Sequence, residues 1–305
     1  MKKRFIAAML ALLTFLLGAA CAEGRTRVVC TDFPCYDFAR QAAGELAEVS
    51  MLIKPGTEVH AYDPTPSDIL AVGDADLFIY IGGESDAWAD DILDGFGDEG
   101  PATLRLMDCV DDLIEEEGDH DHDHDHGEGP EYDEHIWTSP VNAMRMAEAV
   151  GEALAGVDPD NGESYLAAAS DYAAQIGALD QEIRGIVETA KRRELVFADR
   201  FPFLYFVREY GLDYLAAFPS CTADTEPSAQ IVMSLIKRVA EDHIPAVYTI
   251  ELSTQAIAKT VAEETGAEIL TMQSMQTVSQ ADFDAGENYV SIMKWNIEAL
   301  RKGLN

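Results

Sequence analysis

The chemistry-bearing residues of this chain are unevenly spread: four of its seven histidines, His120, His122, His124 and His126, alternate with aspartates in one short stretch. Neutral imidazole is the common protein ligand for Zn, Cu, Ni and Fe, and interleaved carboxylates add oxygen donors, so the pattern points to metal binding. The surrounding segment 115–131 holds five glutamates, four aspartates and no core-forming residue. A solvated loop is expected there, binding weakly and with variable stoichiometry because it must be ordered around each ion. Two further histidines sit just past strand-like segments: His60 in Pro-Gly-Thr-Glu-Val-His-Ala-Tyr-Asp-Pro and His135 in Asp-Glu-His-Ile-Trp-Thr-Ser-Pro. His243, in Glu-Asp-His-Ile-Pro, reads as an ordinary surface residue.

Positioning such groups takes a scaffold, and short β-branched or apolar runs alternating with helix-like stretches supply one. Strands are expected at 27–31, 49–53, 76–81 and 103–108, with helices at 34–43, 66–73 and 87–93. The alternation returns with strands at 195–198, 214–217, 246–250 and 268–271 and helices at 203–210, 227–241, 254–265 and 283–300. Residues 162–191 run without proline, rich in alanine and glutamate, with apolar residues recurring at three and four. One helix there would span about 45 Å, enough to cross more than one lobe. The expected fold class is α/β: two lobes, each a small parallel sheet flanked by helices, joined by one long backbone helix. The expected boundaries are a signal region at 1–22, an N-terminal lobe at 25–157 carrying the acidic histidine loop at 115–131, a linking helix at 158–192 and a C-terminal lobe at 193–305.

Lys2, Lys3 and Arg4 precede an uncharged apolar run over 5–20, the pattern of an export signal. At about 16 residues the run is short of the roughly 20 that span a membrane. It closes with Leu-Gly-Ala-Ala-Cys, ending at Cys21, which resembles the lipobox of bacterial lipoproteins and implies lipidation there. Ala20 and Ala22 also suit an ordinary signal peptidase, so soluble secretion is the alternative. The formal charge of −35 argues against nucleic acid and anionic lipid as binding surfaces and favours cations. Cys30, Cys35, Cys109 and Cys221 allow three pairings, and the spacing selects none. Cys35 and Cys221 each follow a strand-to-helix turn, from which a disulfide or a thiolate can reach a cleft; a small buried residue is the simpler reading.

Taken together, these motifs resemble the metal-binding proteins of zinc and manganese ABC importers, a group whose lobes are joined by one long helix. The resemblance is carried by the His60 and His135 motifs, Pro66-Ser67-Asp68, Gly83-Glu84-Ser85-Asp86-Ala87-Trp88, Phe203 through Gly211-Leu212, and Glu226-Pro227-Ser228. It covers nearly the whole mature chain, and in this family an acidic histidine loop at this position accompanies zinc importers. It implies a metal held between the lobes, with His60 and His135 as two ligands. The family's third histidine, eleven residues before Gly211-Leu212, falls on Arg200, which stays protonated and cannot ligate a cation. Asp199 beside it is a candidate oxygen ligand, or else pairs with Arg200 or caps the next helix. Glu251, closing Tyr-Thr-Ile-Glu where relatives carry an acid, is the third candidate ligand. The family's late aspartate falls on Gln273, which with Gln276 is expected to hydrogen-bond near the cleft. Two histidines with one or two carboxylates also suit manganese, unless a histidine from 120–126 enters the cleft as a third nitrogen.

The expected function is that of an extracytoplasmic solute-binding protein that captures a transition metal, Zn²⁺ ahead of Mn²⁺, and delivers it to an ABC permease and its ATPase. No organic cofactor, no nucleic acid and no catalysis are expected, and the chain is expected to be a monomer anchored to the cell membrane by lipid. The alternatives are a manganese-binding homologue, a surface adhesin or zinc buffer on the same fold, and an exported metallohydrolase using His60, His135 and Glu251. The last lacks a His-Glu-x-x-His helix, a nucleophile elbow and a phosphate-cradling glycine loop.

Overall fold

A computed structural model describes residues 24–115, 132–218 and 227–305. In the first half, strands β1 (Thr26–Cys30), β2 (Ala47–Met51), β3 (Leu77–Tyr80) and β4 (Ala102–Arg105) form one parallel sheet in the order β2-β1-β3-β4. In the second, β5 (Glu194–Phe197), β6 (Asp213–Ala216), β7 (Ala246–Thr249) and β8 (Glu268–Thr271) repeat the arrangement as β6-β5-β7-β8, again parallel. All four residues of β3, Leu-Phe-Ile-Tyr, and of β7, Ala-Val-Tyr-Thr, are buried. A parallel strand covered on both faces by helices has no solvent side, so an unbroken apolar run suits it better than alternation.

The helices start where the sequence provides caps. Helix α1 (Phe33–Ala43) is capped by Asp32, whose carboxylate accepts the Cys35 N–H at 3.3 Å. Thr65 and Asp68 form a reciprocal capping box on α2 (Pro66–Gly73), and α3 (Ala87–Phe96) follows β3. Helix α4 (Pro140–Val157), capped by Ser139, was not expected from the sequence, although Ala143, Met146, Ala147, Val150, Gly151 and Leu154 line one buried face of it. Helix α5 (Gly162–Thr189) is the long one, 28 residues and about 42 Å. It starts after a 3₁₀ turn over Pro159–Asn161, at the first residue of the proline-free run expected to be helical, and lies within the linking region 158–192. Helix α5 packs on α1 and α4 on one side and on the elements of the second half on the other, through buried Tyr165, Ile176 and Ile183.

The second half adds α6 (Leu204–Tyr210), α7 (Ala229–Glu241), α8 (Ala256–Thr265), α9 (Gln280–Asp284) and α10 (Tyr289–Gly303). The single helix expected over 283–300 is two, because Gly286 takes φ 78° and Asn288 caps a new start at Tyr289. Both sheets therefore present their carboxyl ends to the same inter-lobe seam, where open α/β sheets bind ligands.

Among the described residues Cys30, Cys35 and Cys109 are free thiols. Cys35 is fully buried in the core of the first lobe, the small buried residue of the simpler reading, and burial pushes its pKa up. Among the described residues no helix is long and apolar enough to cross a membrane. Cys21, His120, His122, His124, His126, Cys221 and Glu226 lie outside the described residues.

Candidate metal centre

His60 lies in the loop between β2 and α2, and His135 in the segment that returns to α4. The two rings come together with centroids 5.9 Å apart and planes at 43°. Glu134 completes the group: one ligand atom from each of His60, Glu134 and His135 lies within 4.8 Å of the others. His135 and Glu134 are buried and His60 is nearly so, at 12% side-chain exposure. Ligand atoms around a tetrahedral Zn²⁺ stand about 3.3 Å apart, so modest contraction converts this group into three arms of such a shell.

Each arm is fixed by its surroundings. A tight turn at His135 (φ −78°, ψ 42°), closed by the Ile136 N–H on the Glu134 carbonyl at 2.8 Å, folds the two neighbours into one site. Asp133 Oδ1 accepts the His135 N–H at 2.8 Å and lies 3.2 Å from its Nδ1, and a carboxylate on Nδ1 favours the tautomer whose Nε2 carries the lone pair. Glu134 accepts the Ser85 N–H at 2.9 Å and the Ser85 hydroxyl. Its approach depends on Gly83, where a Cβ would stand 2.3 Å from the Glu134 side chain. The loop of His60 is pinned by buried Val59 and by the Tyr62 N–H on the Val59 carbonyl at 3.1 Å. Glu58 Oε1 lies 2.9 Å from His60 Nδ1. Hydrogen bonding to His60, aided by Arg200, holds the Glu58 carboxyl at about 2.

The second lobe reaches the group through Gln276, whose Nε2 lies 3.2 Å from Glu134 Oε1 and 3.4 Å from His60 Nε2. Gln273 instead uses its backbone, exchanging hydrogen bonds with Asn296 at 2.6 and 2.8 Å. Asp199 and Glu251 are not brought into the group. Both line an adjoining inter-lobe cavity of about 420 Å³ together with His60, Arg200, Gln276 and Thr277. Asp199 Oδ1 is occupied by the Arg200 N–H at 2.9 Å, while Glu251 accepts the Ser274 N–H at 2.6 Å and its hydroxyl. Burial raises the Glu251 pKa. Arg200 turns to Glu58, with Nη1 3.1 Å from Oε2. His243 is exposed, as expected.

Behind Glu134, a void of about 10 Å³, room for one water, is lined by Thr31, Asp32, Ser85, Asp86 and Gln276. Burial raises Asp32 to about 7 and, with the neighbouring carboxylates Asp32 and Glu134, Asp86 to about 8. Ends of the acidic loop meet close by: Glu115 and Tyr132 form an antiparallel bridge, and Tyr205 of α6 receives the Ile114 N–H at 3.0 Å and donates to the Asp133 carbonyl at 2.8 Å.

Two α/β lobes on one long helix, with imidazole and carboxylate groups gathered at the seam, define the class of two-lobed metal-binding proteins. The chain belongs to the zinc-uptake complex component A periplasmic family, whose sequence model matches residues 28–303. It is 33% identical over 313 residues to the zinc-binding lipoprotein AdcA of Streptococcus pneumoniae, covering 99% of this chain but only 61% of that protein. It is 31% identical over 303 residues to the high-affinity zinc uptake system protein ZnuA of Bacillus subtilis, covering 95% and 94%. The fold matches the Zn(II)-bound ZnuA-like domain of Streptococcus pneumoniae AdcA with a TM-score of 0.76, at 29% identity, over 92% of this chain and 99% of that one.

Proposed function

We propose that this chain captures Zn²⁺ outside the cytoplasm and passes it to an ABC permease. The observation that carries the reading is the convergence of His60 from one loop with Glu134 and His135 from another, to within 4.8 Å. Two neutral nitrogens and one carboxylate oxygen make a borderline-soft set that suits zinc, and Gln276 stands where a fourth, weaker donor reaches the ion. Asp199 and Glu251 act from the cavity wall, drawing cations inward. The zinc named in the AdcA and ZnuA relatives supports the choice of ion.

In this reading Cys21 carries a lipid anchor, and the mature chain works as a monomer. The lobes, 25–157 and 193–305, dock together on the permease across the helix 158–192. His120, His122, His124 and His126 form accessory, weaker sites. The reading requires no catalysis.

Chelator-competition titration of the signal-free protein with Zn²⁺ and Mn²⁺ tests the proposal. One tight zinc site with weaker additional sites is expected; preference for manganese, or no tight site, overturns it.

A further inference from the structure

Arg200 stands at the end of β5 in the second lobe, and its side chain crosses to Glu58 of the first, Nη1 to Oε2 at 3.1 Å. The other oxygen of the same carboxylate faces His60 Nδ1 at 2.9 Å. On its far side the His60 ring presents Nε2 to the candidate centre, 3.5 Å from Glu134 Oε1 and 3.4 Å from Gln276. Four groups from three loops thus form one line: guanidinium, carboxylate, imidazole, metal-binding group.

We infer that Arg200 is a positioning residue that acts through Glu58 to orient the His60 ring, tying metal affinity to the closeness of the two lobes. The inference rests on the metal-capture reading. A carboxylate on Nδ1 fixes the tautomer, places the lone pair on Nε2 and raises its basicity. Glu58 is half-exposed and on a loop, so by itself it has little reason to hold one orientation. Arg200 has that reason: its own N–H is held by Asp199 Oδ1 at 2.9 Å, and Asp199 Oδ2 lies 3.5 Å from the Ile250 N–H beyond β7. The anchor therefore belongs to the frame of the second sheet, while Glu58 belongs to the first lobe.

The exposure of the pair limits its contribution to folding stability, because a solvent-facing ion pair is worth little. Its effect is orientational. A hydrogen bond weakens steeply beyond about 3.5 Å, so a lobe displacement of roughly an ångström breaks the Arg200–Glu58 contact and frees the ring. The same seam carries Gly56 N–H on Thr277 Oγ1 at 3.1 Å, which moves with it. Docking on a permease that spreads the lobes slightly would release the ion by this route. The opposite role for Arg200, a positive charge that merely repels the ion, makes the reverse forecast for its removal.

The test compares zinc affinity and dissociation rate in wild type, Arg200→Met, Glu58→Gln and the double variant, with circular dichroism to check folding. Loss of an outer partner of a metal-ligating histidine costs about 10–100-fold, so Arg200→Met is expected to speed dissociation about tenfold. Glu58→Gln does so at least as much, and the double variant matches Glu58→Gln alone. Arg200→Lys, which keeps the charge but loses the fork, falls between wild type and Arg200→Met. Unchanged or tighter binding by Arg200→Met, or independent effects that multiply in the double variant, overturns the inference.

A second arm needs no metal: nitrogen-15 NMR of the metal-free protein should show a protected His60 Nδ1–H in wild type and faster exchange in Arg200→Met. Absence of that protected proton in wild type overturns the relay while leaving metal capture standing. Wild type that lacks a tight zinc site overturns metal capture instead.

Discussion

The indole of Trp137 donates from Nε1 to the main-chain carbonyl of Ser274 at 2.7 Å, joining the loop of His135 to the loop of Gln276. Tyr289 OH donates in turn to the Trp137 carbonyl at 2.9 Å, so the tryptophan is held at both ends by the second lobe. Trp137→Phe keeps the apolar body and removes the donor, leaving a buried carbonyl without that partner. Urea denaturation should show a loss of about 1–3 kcal/mol. A loss below that range would mean that the loops are held in register by packing alone.

Glu134 and Glu251 are both buried carboxylates at the seam, and the geometry assigns them opposite weights. Glu134→Gln should weaken zinc binding by more than the roughly 10–100-fold that follows loss of an outer partner, as should His135→Ala. Glu251→Gln, whose amide can still satisfy Ser274, should change affinity by less than about tenfold. Isothermal titration of the three variants ranks them, and the reverse order would move the oxygen ligand to the second lobe.

Zinc affinity should fall as pH falls, because each imidazole must be without its proton to ligate. Two histidines in the set predict a dependence steeper than one proton per ion at the acid end. Proton release measured by titration in two buffers of different ionisation enthalpy checks the count.

Metal-free stability should show a separate dependence with the opposite sense. Asp32 and Asp86 have their folded pKa values raised to about 7 and 8 from 3.8, so the native state keeps protons that the unfolded chain has lost. Their contribution is fully present below about pH 4 and is lost as pH rises through 7 to 8. Asp32→Asn preserves the cap of α1 while removing one titration. Unfolding free energies from urea denaturation between pH 5 and 7 should then slope less by about one proton, or about 1.4 kcal/mol per pH unit.

How far the sequence carried this picture depends on the range of the interaction. All eight strands were legible, because β-branched and apolar runs such as Leu77–Tyr80 and Ala246–Thr249 are bounded by turn residues. Helix α4 was not read, because the small residues Ala143, Ala147 and Gly151 that occupy half of its buried face are weak apolar markers, even though they fall at helical spacing and pack on α5 and α1. His60 and His135 were visible in their motifs. Glu134, next to His135, was passed over because neighbouring side chains on an extended chain diverge, and only the turn at His135 brings both inward. The presence of a carboxylate beside a loop histidine was the signal available. The partner of Arg200 was beyond sequence reasoning altogether: Glu58 lies 142 residues away, and nothing local distinguishes it from the other glutamates of an acidic chain.

Helix α5 carries a kinetic consequence. With 28 residues in one uninterrupted element packed on both lobes, α5 itself contains no flexible joint whose freedom must be frozen when an ion arrives. Little conformational entropy is surrendered on capture, so the affinity of the pocket is set by the quality of its donors. The same stiffness denies the chain a wide gape through which cargo could escape unaided. In the metal-capture reading proposed above, an ion held this way leaves slowly on its own, and a docking event that shifts the lobes is what shortens its residence time.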